Sequence, residues 1–170
     1  NYFKKISKGQ QSVISNVIFS RQSGLPIVVV AHAIKNKQDK TVGVFGAALV
    51  LNKKLSARIS EIEIGKESES WIADGTGTII AHTNKDKIMN LNVLKSKEQG
   101  YQGLQQLGAK MTSGKSGYGE MTTPKGNKKV LVFSPIEASP GWSLGVSITK
   151  DELLKDANSL IKKLFIAFLV

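Results

Sequence analysis

The sequence predicts an α+β chain of two small units, split near residue 64, with a helix after the second. Three observations carry that expectation. Strand-like apolar runs form two groups, one on each side of a segment with helical periodicity at 52–62. The second group opens on Trp71-Ile72-Ala73 and Thr78-Ile79-Ile80-Ala81-His82 around an Asp74-Gly75 tip, which is the composition of a hairpin. The last strands then hand over, through Asp151-Glu152-Leu153-Leu154, to a run that is still apolar at Val170. On this reading residues 1–64 are the remaining part of a first unit, 65–150 form the second, and 151–170 form an output helix.

In the first unit, Tyr2, Phe3 and Ile6 fall at helical spacing, and Gly9 can end that helix. Residues 13–19 read as a strand and 20–26 as a turn. The valine-rich run 27–34 reads as a strand buried on both faces or nearly so. The polar loop 35–40 is short, so the strand 41–50 is expected to pair antiparallel with it. A helix over 52–62 places Leu55, Ile59 and Ile62 on one face.

In the second unit, the 71–82 hairpin is followed by a polar stretch, 84–112, with widely spaced Ile88, Leu91, Leu94, Leu104 and Leu107. One or two short helices fit it. Strands at about 117–123, 128–136 and 141–148 complete the unit. Asp151 and Glu152 open the last helix at its positive end. Leu164 to Val170 are seven uninterrupted apolar residues behind Lys162 and Lys163. A spanning helix needs about 20, so at most its first third is present. With nothing polar after Lys163 to form a wet face, the run reads as entry into a membrane.

Composition narrows the function. At 170 residues, 41% apolar and 22% charged, the chain can bury a modest core and is not a disordered polymer. It contains no cysteine, which excludes disulfides, thiolate zinc sites and a thiol nucleophile. It begins at Asn1 and reads as an internal piece of something longer. The net charge of +11 comes from scattered lysines, and aromatic residues are 6% of the chain. No basic stripe alternates with stacking rings, so no nucleic-acid partner is expected.

Catalytic motifs fail on inspection. Gly108 to Gly114-Lys115-Ser116 approaches a phosphate loop, but five residues separate the glycines where that motif has four, and no strand precedes them. Asp74-Gly75-Thr76-Gly77-Thr78 has the look of an aspartyl nucleophile loop, yet downstream carboxylates for magnesium are lacking, and a hairpin tip explains the same residues. His32 and His82 fall on different strands of different units, which argues against a shared metal or a triad. His82 is expected to pack at the end of its hairpin. His32, inside a valine-rich strand, is either a satisfied core histidine or part of a ligand pocket. Neither an enzyme nor a cofactor is expected.

Several segments are similar to extracellular Cache sensor domains. Trp71 through His82 resembles their Asp-x-x-Gly-x-Ile-Ile-Ala-His hairpin. Ser134-Pro135-Ile136, Gly141-Trp142-Ser143-Leu144-Gly145-Val146 and Asp151-Glu152-Leu153-Leu154 resemble the end of the membrane-proximal module. Tyr2-Phe3-Lys4, Gly24-Leu25-Pro26-Ile27 and Val42-Gly43-Val44-Phe45-Gly46 resemble later parts of the membrane-distal one. The resemblance implies a double Cache domain, two PAS-like modules held outside the membrane, of a kind found mostly in methyl-accepting chemotaxis receptors. Sensor histidine kinases and cyclic-nucleotide signalling enzymes such as diguanylate cyclases carry it less often.

For this chain the resemblance implies a small-molecule ligand bound in the first module by Tyr2, Phe3, His32 and Phe45, a membrane, and a homodimer. In the amino-acid-binding branch, an Arg-x-Trp-Tyr motif holds the ligand carboxylate and an Asp holds its ammonium. Tyr2 and Phe3 match the two aromatic positions, which puts the arginine before Asn1. The Asp position falls on Ala48. An uncompensated buried ammonium is costly, which argues against an amino-acid ligand. Trp142 is expected to serve packing rather than ligand contact. A module that binds without signalling is the rival reading.

Overall fold

A computed structural model describes residues 2–51, 58, 59, 61, 62 and 65–155. The chain opens with helix α1 (Tyr2–Ser7), whose Ile6 is fully buried, and Gly9 follows at φ 99°. Strands β1 (Ser12–Ile14) and β2 (Ile18–Phe19) lie one after the other along a single edge of β3 (Pro26–Lys35). The sequence predicts one strand there. Ser15 breaks it, because its hydroxyl, not a ladder carbonyl, accepts the Val29 N–H at 2.9 Å. On the other side of β3 lies β4 (Thr41–Val50), antiparallel and with the bounds expected.

The β3 strand is covered less completely than its composition predicts. Ile27, Val29, Ala31 and Ala33 share one face and form a core with Ile6 and Val13. On the other face Val28 is buried, but His32 and Ile34 are exposed. Strand alternation accounts for the pattern, since α1 covers only one side. Of the helix expected at 52–62, most lies outside the described residues. Ile59 is buried.

The second sheet has the order β6-β5-β9-β8-β7, antiparallel throughout. Its strands are β5 (Glu69–Ala73), β6 (Ile79–His82), β7 (Gly117–Thr122), β8 (Lys128–Pro135) and β9 (Ser143–Thr149). The β5–β6 tip is the Asp-Gly turn expected. The Asp74 carboxylate accepts N–H bonds from Thr76 and Thr78 at 2.9 and 3.0 Å, and the Thr76 hydroxyl at 2.6 Å. These bonds assign Asp74 to the turn. The stretch 84–112 folds into 3-10 segments at Lys85–Lys87 and Val93–Gln99 and helix α2 (Leu104–Thr112). Leu104, Leu107, Gly108 and Met111 form the buried stripe of α2. That stripe packs on Trp71, Met121, Leu131 and Phe133 to make the larger core.

The reverse face of this sheet meets the first unit. Ile72, Ile80 and Ala81 cluster with Ile59, and Val17, Leu51, Trp142 and Leu144 pack against them. Trp142 is therefore part of the packing, as expected. Helix α3 (Lys150–Leu153) follows β9 without a break, and its Thr149 cap accepts the Glu152 N–H at 3.4 Å. The apolar run 164–170 lies outside the described residues, among which no helix is long and apolar enough to cross a membrane.

Candidate functional site

A cavity of about 1160 Å³ opens between α1, the β1–β2 edge and the first sheet. Its floor is the inner face of that sheet, from Ile27 and Val29 of β3 to Gly46 and Ala48 of β4. The register pairs Val29 with Ala48 and Ala31 with Gly46, so these side chains share one face by the two-residue period of a strand. Tyr2, Phe3 and Lys5 of α1 form one wall, and Phe19, Ser20 and Arg21 form another. Pro140, from the turn before β9, reaches the same cavity.

Tyr2 and Phe3 thus line this space, and Ala48 faces into it. His32 and Phe45 do not line it. They are cross-strand partners on the opposite face of the same sheet, where Phe45 is 66% exposed. His32 is exposed as well, and its Nδ1 lies 2.7 Å from the Ser12 hydroxyl, so neither its core reading nor its pocket reading describes it. Pairing parity explains the separation: residues 32 and 45 fall one step out of phase with 29, 31, 46 and 48.

The electrostatics of the cavity are one-sided. Among the described residues its charged lining is Lys5 and Arg21, with no carboxylate beside them. Neither side chain has an ion-pair partner among the described residues. Small residues at Gly46 and Ala48 leave room above an apolar floor. Such a surface can hold an apolar body by burial and an anionic end by charge. For an ammonium it has amide and hydroxyl acceptors in Ser15, Asn16, Ser20 and Gln22, and no carboxylate among the described residues to compensate the charge. Sequence reasoning missed Lys5 and Arg21. The i to i+3 spacing of Tyr2 and Lys5 held a clue to the first, and Arg21 in a turn gave none.

A second group of charges was also missed. The Glu69 carboxylate receives Lys87 Nζ on Oε1 at 2.9 Å and Lys129 Nζ on Oε2 at 2.7 Å. Burial alone would raise the Glu69 carboxyl, but the hydrogen bonds from Lys129 and Lys87 outweigh it and hold it at about 2. His82 lies flat on Trp71, with ring centroids 5.5 Å apart. Its Nδ1 accepts the Asn84 N–H at 2.8 Å. Burial first, then Lys87, pushes its pKa down to about 3, so the ring is neutral. Among the described residues, no three His, Cys, Asp or Glu side chains cluster as metal ligands would.

The Cache domain family matches residues 1–157 in one continuous span that covers both sheets. The chain belongs to the Cache domain family. The expected double Cache domain of two modules is corrected to a single Cache domain module, with the two sheets as its parts. Among solved structures, the extracellular domain of mmHK1S-Z3, assigned as a histidine kinase, superposes with a TM-score of 0.75 at 19% identity over 93% of this chain. The periplasmic sensory domain of the Campylobacter jejuni chemoreceptor Tlp1 gives 0.70 at 18% over 91%. The ligand-binding domain of the Pseudomonas fluorescens chemoreceptor CtaA, in complex with L-isoleucine, gives 0.63 at 23% over 88%. The chain spans only 55%, 56% and 57% of those three structures, so the likeness concerns the fold. No curated protein matches the chain.

Proposed function

We propose that this Cache domain is the extracytoplasmic sensor of a membrane receptor and that it detects a small organic anion lacking an ammonium group. The receptor is a methyl-accepting chemotaxis protein acting as a homodimer; a histidine kinase or diguanylate cyclase is the alternative owner. The observation that carries the ligand class is the charge of the cavity under α1: Lys5 and Arg21 at its walls, Ala48 on its floor, and no carboxylate in its lining. An apolar monocarboxylate suits it best, with its chain on Val29 and Ala48 and its head toward Arg21. L-Isoleucine in CtaA does not carry over at this identity.

The signal route on this reading is short. Pro140 touches the cavity, β9 begins at Ser143, and its end caps α3. Seven strand residues span roughly 23 Å. A ligand that favours one position of Pro140 would bias α3, and from there the helix leading into the membrane, by no more than its differential affinity. The test is a thermal-shift series with butyrate, pentanoate and hexanoate beside L-alanine, L-leucine and L-arginine. Saturable stabilisation by a carboxylate is expected, about 2.7 kcal/mol at a hundredfold excess over Kd. Arg21→Ala and Ala48→Asp should each weaken it at least tenfold. Stabilisation by the amino acids alone, or by nothing, overturns the ligand class.

A further inference from the structure

A second cavity, about 290 Å³, opens on the helix-covered face of the second sheet, at the end where the apolar core stops. Its floor is Glu69 and Lys129; Lys87 and Tyr101 stand beside them, and Lys125 and Asn127 form part of the rim. The placement follows from strand parity. Glu69 is in phase with Trp71 and Ala73, and Lys129 with Leu131 and Phe133, all core residues. Charged side chains therefore continue a face that is otherwise apolar.

Three lysines and one carboxylate line this space, a net charge of +2. Glu69 is fully engaged, each oxygen taking one lysine. The lysines are not. An ammonium has three donors. Lys87 gives one to Glu69, while Lys129 gives one to Glu69 and one to the Glu67 carbonyl at 3.3 Å. Tyr101 is only 8% exposed, and Lys87 Nζ stands 5.9 Å from the centre of its ring. Lys129, with its side chain 8% exposed, is a buried cation beside a carboxylate it must share. Surplus donors and surplus positive charge converge on one small space.

We infer that this cleft is a second binding site, for a compact organic anion of the mono- or dicarboxylate class held by Lys87, Tyr101, Lys125 and Lys129. A carboxylate there would take the unused ammonium donors and the Tyr101 O–H, and would balance the cation that Glu69 leaves uncompensated. At 290 Å³ the site sits at the lower edge of the range of ligand pockets, which restricts it to small solutes. It is separate from the cavity under α1 and does not depend on that cavity having a ligand.

The experiment is isothermal titration of the chain with succinate and with acetate, at constant ionic strength set by sodium chloride. Saturable binding of at least one is expected. Lys125→Ala, at an exposed turn and so without cost to the fold, should weaken it at least tenfold, and Tyr101→Phe by several-fold. Arg21→Ala should leave it unchanged. No saturable binding of either anion by the folded wild type overturns the site. So does binding that survives Lys125→Ala and Tyr101→Phe together, or that is lost in Arg21→Ala, which would assign the anion to the cavity under α1.

Discussion

At the scale of single residues, His82 shows how neighbours set a protonation state. Its ring is buried against Trp71 and faces Lys87 and Lys129, with Glu69 only partly offsetting them. The folded pKa of about 3 lies below the unfolded value of 6.5, so between those limits the unfolded chain binds more protons. Stability is therefore complete above pH 6.5 and falls as pH drops toward 3, at up to about 1.4 kcal/mol per pH unit. Glu69 also has a lowered pKa, from 4.5 to about 2, and its contribution is lost only below 4.5. Melting temperatures between pH 6.5 and 4.5 should thus fall in the wild type and run nearly flat in His82→Gln. Equal slopes in the two proteins would assign the proton uptake to another group. The buried position of His82 was legible from its place at the end of a hairpin. The exposure of His32 was not, because its valine-rich neighbours do not reveal that α1 covers only the other face.

At the scale of elements, β9 carries an unusual inner face. Ser143, Gly145, Ser147 and Thr149 are small or polar yet buried, and they lie across from β5 and β8. At Gly145 the reason is steric. A Cβ there would come within 2.8 Å of the Trp71 ring, so the indole lies directly on the backbone. Gly145→Ala should cost about 1–3 kcal/mol, the usual range for overpacking a core, and is read by urea denaturation. Leu144→Ala, pointing to the other face, should leave the Trp71–His82 stack in place, and comparing near-ultraviolet spectra of the two variants separates the effects. Strands with clear periodicity, such as β4 and β8, could be read from sequence almost to the residue. The break between β1 and β2 could not, since it rests on a serine hydroxyl replacing a ladder carbonyl. Nor could the allocation of Phe45 and Ala48 to opposite faces be judged without the register that pairs β4 with β3.

For the whole molecule, the decisive question is whether α3 moves with the domain or independently of it. Glu152 ties the two together. Its carboxylate accepts the backbone N–H groups of Lys66 and Glu67 at 2.6 and 3.0 Å, across more than eighty residues of sequence. The same Glu67 offers its carbonyl to Lys129, whose ammonium lies on Glu69. Segment 65–67 is thus held between the terminal helix on one side and the charged cleft on the other, just before β5 begins. On the proposed sensory reading, a displacement of α3 brought about through β9 is passed on here to segment 65–67. Charge-assisted bonds to a partly exposed carboxylate contribute modestly to stability, so Glu152→Ala should lower it by about 1 kcal/mol. Its larger effect should be local: amide exchange at Lys66 and Glu67 accelerates several-fold, while exchange in β8 and α2 stays at the wild-type rate. A ligand of the cavity under α1 should still raise the melting temperature of this variant by the same amount, because Pro140 and Arg21 are untouched. In the wild type that ligand should also change protection at Lys66 and Glu67, and in Glu152→Ala it should not. Protection that responds equally in both proteins would mean that the ligand reaches segment 65–67 without Glu152.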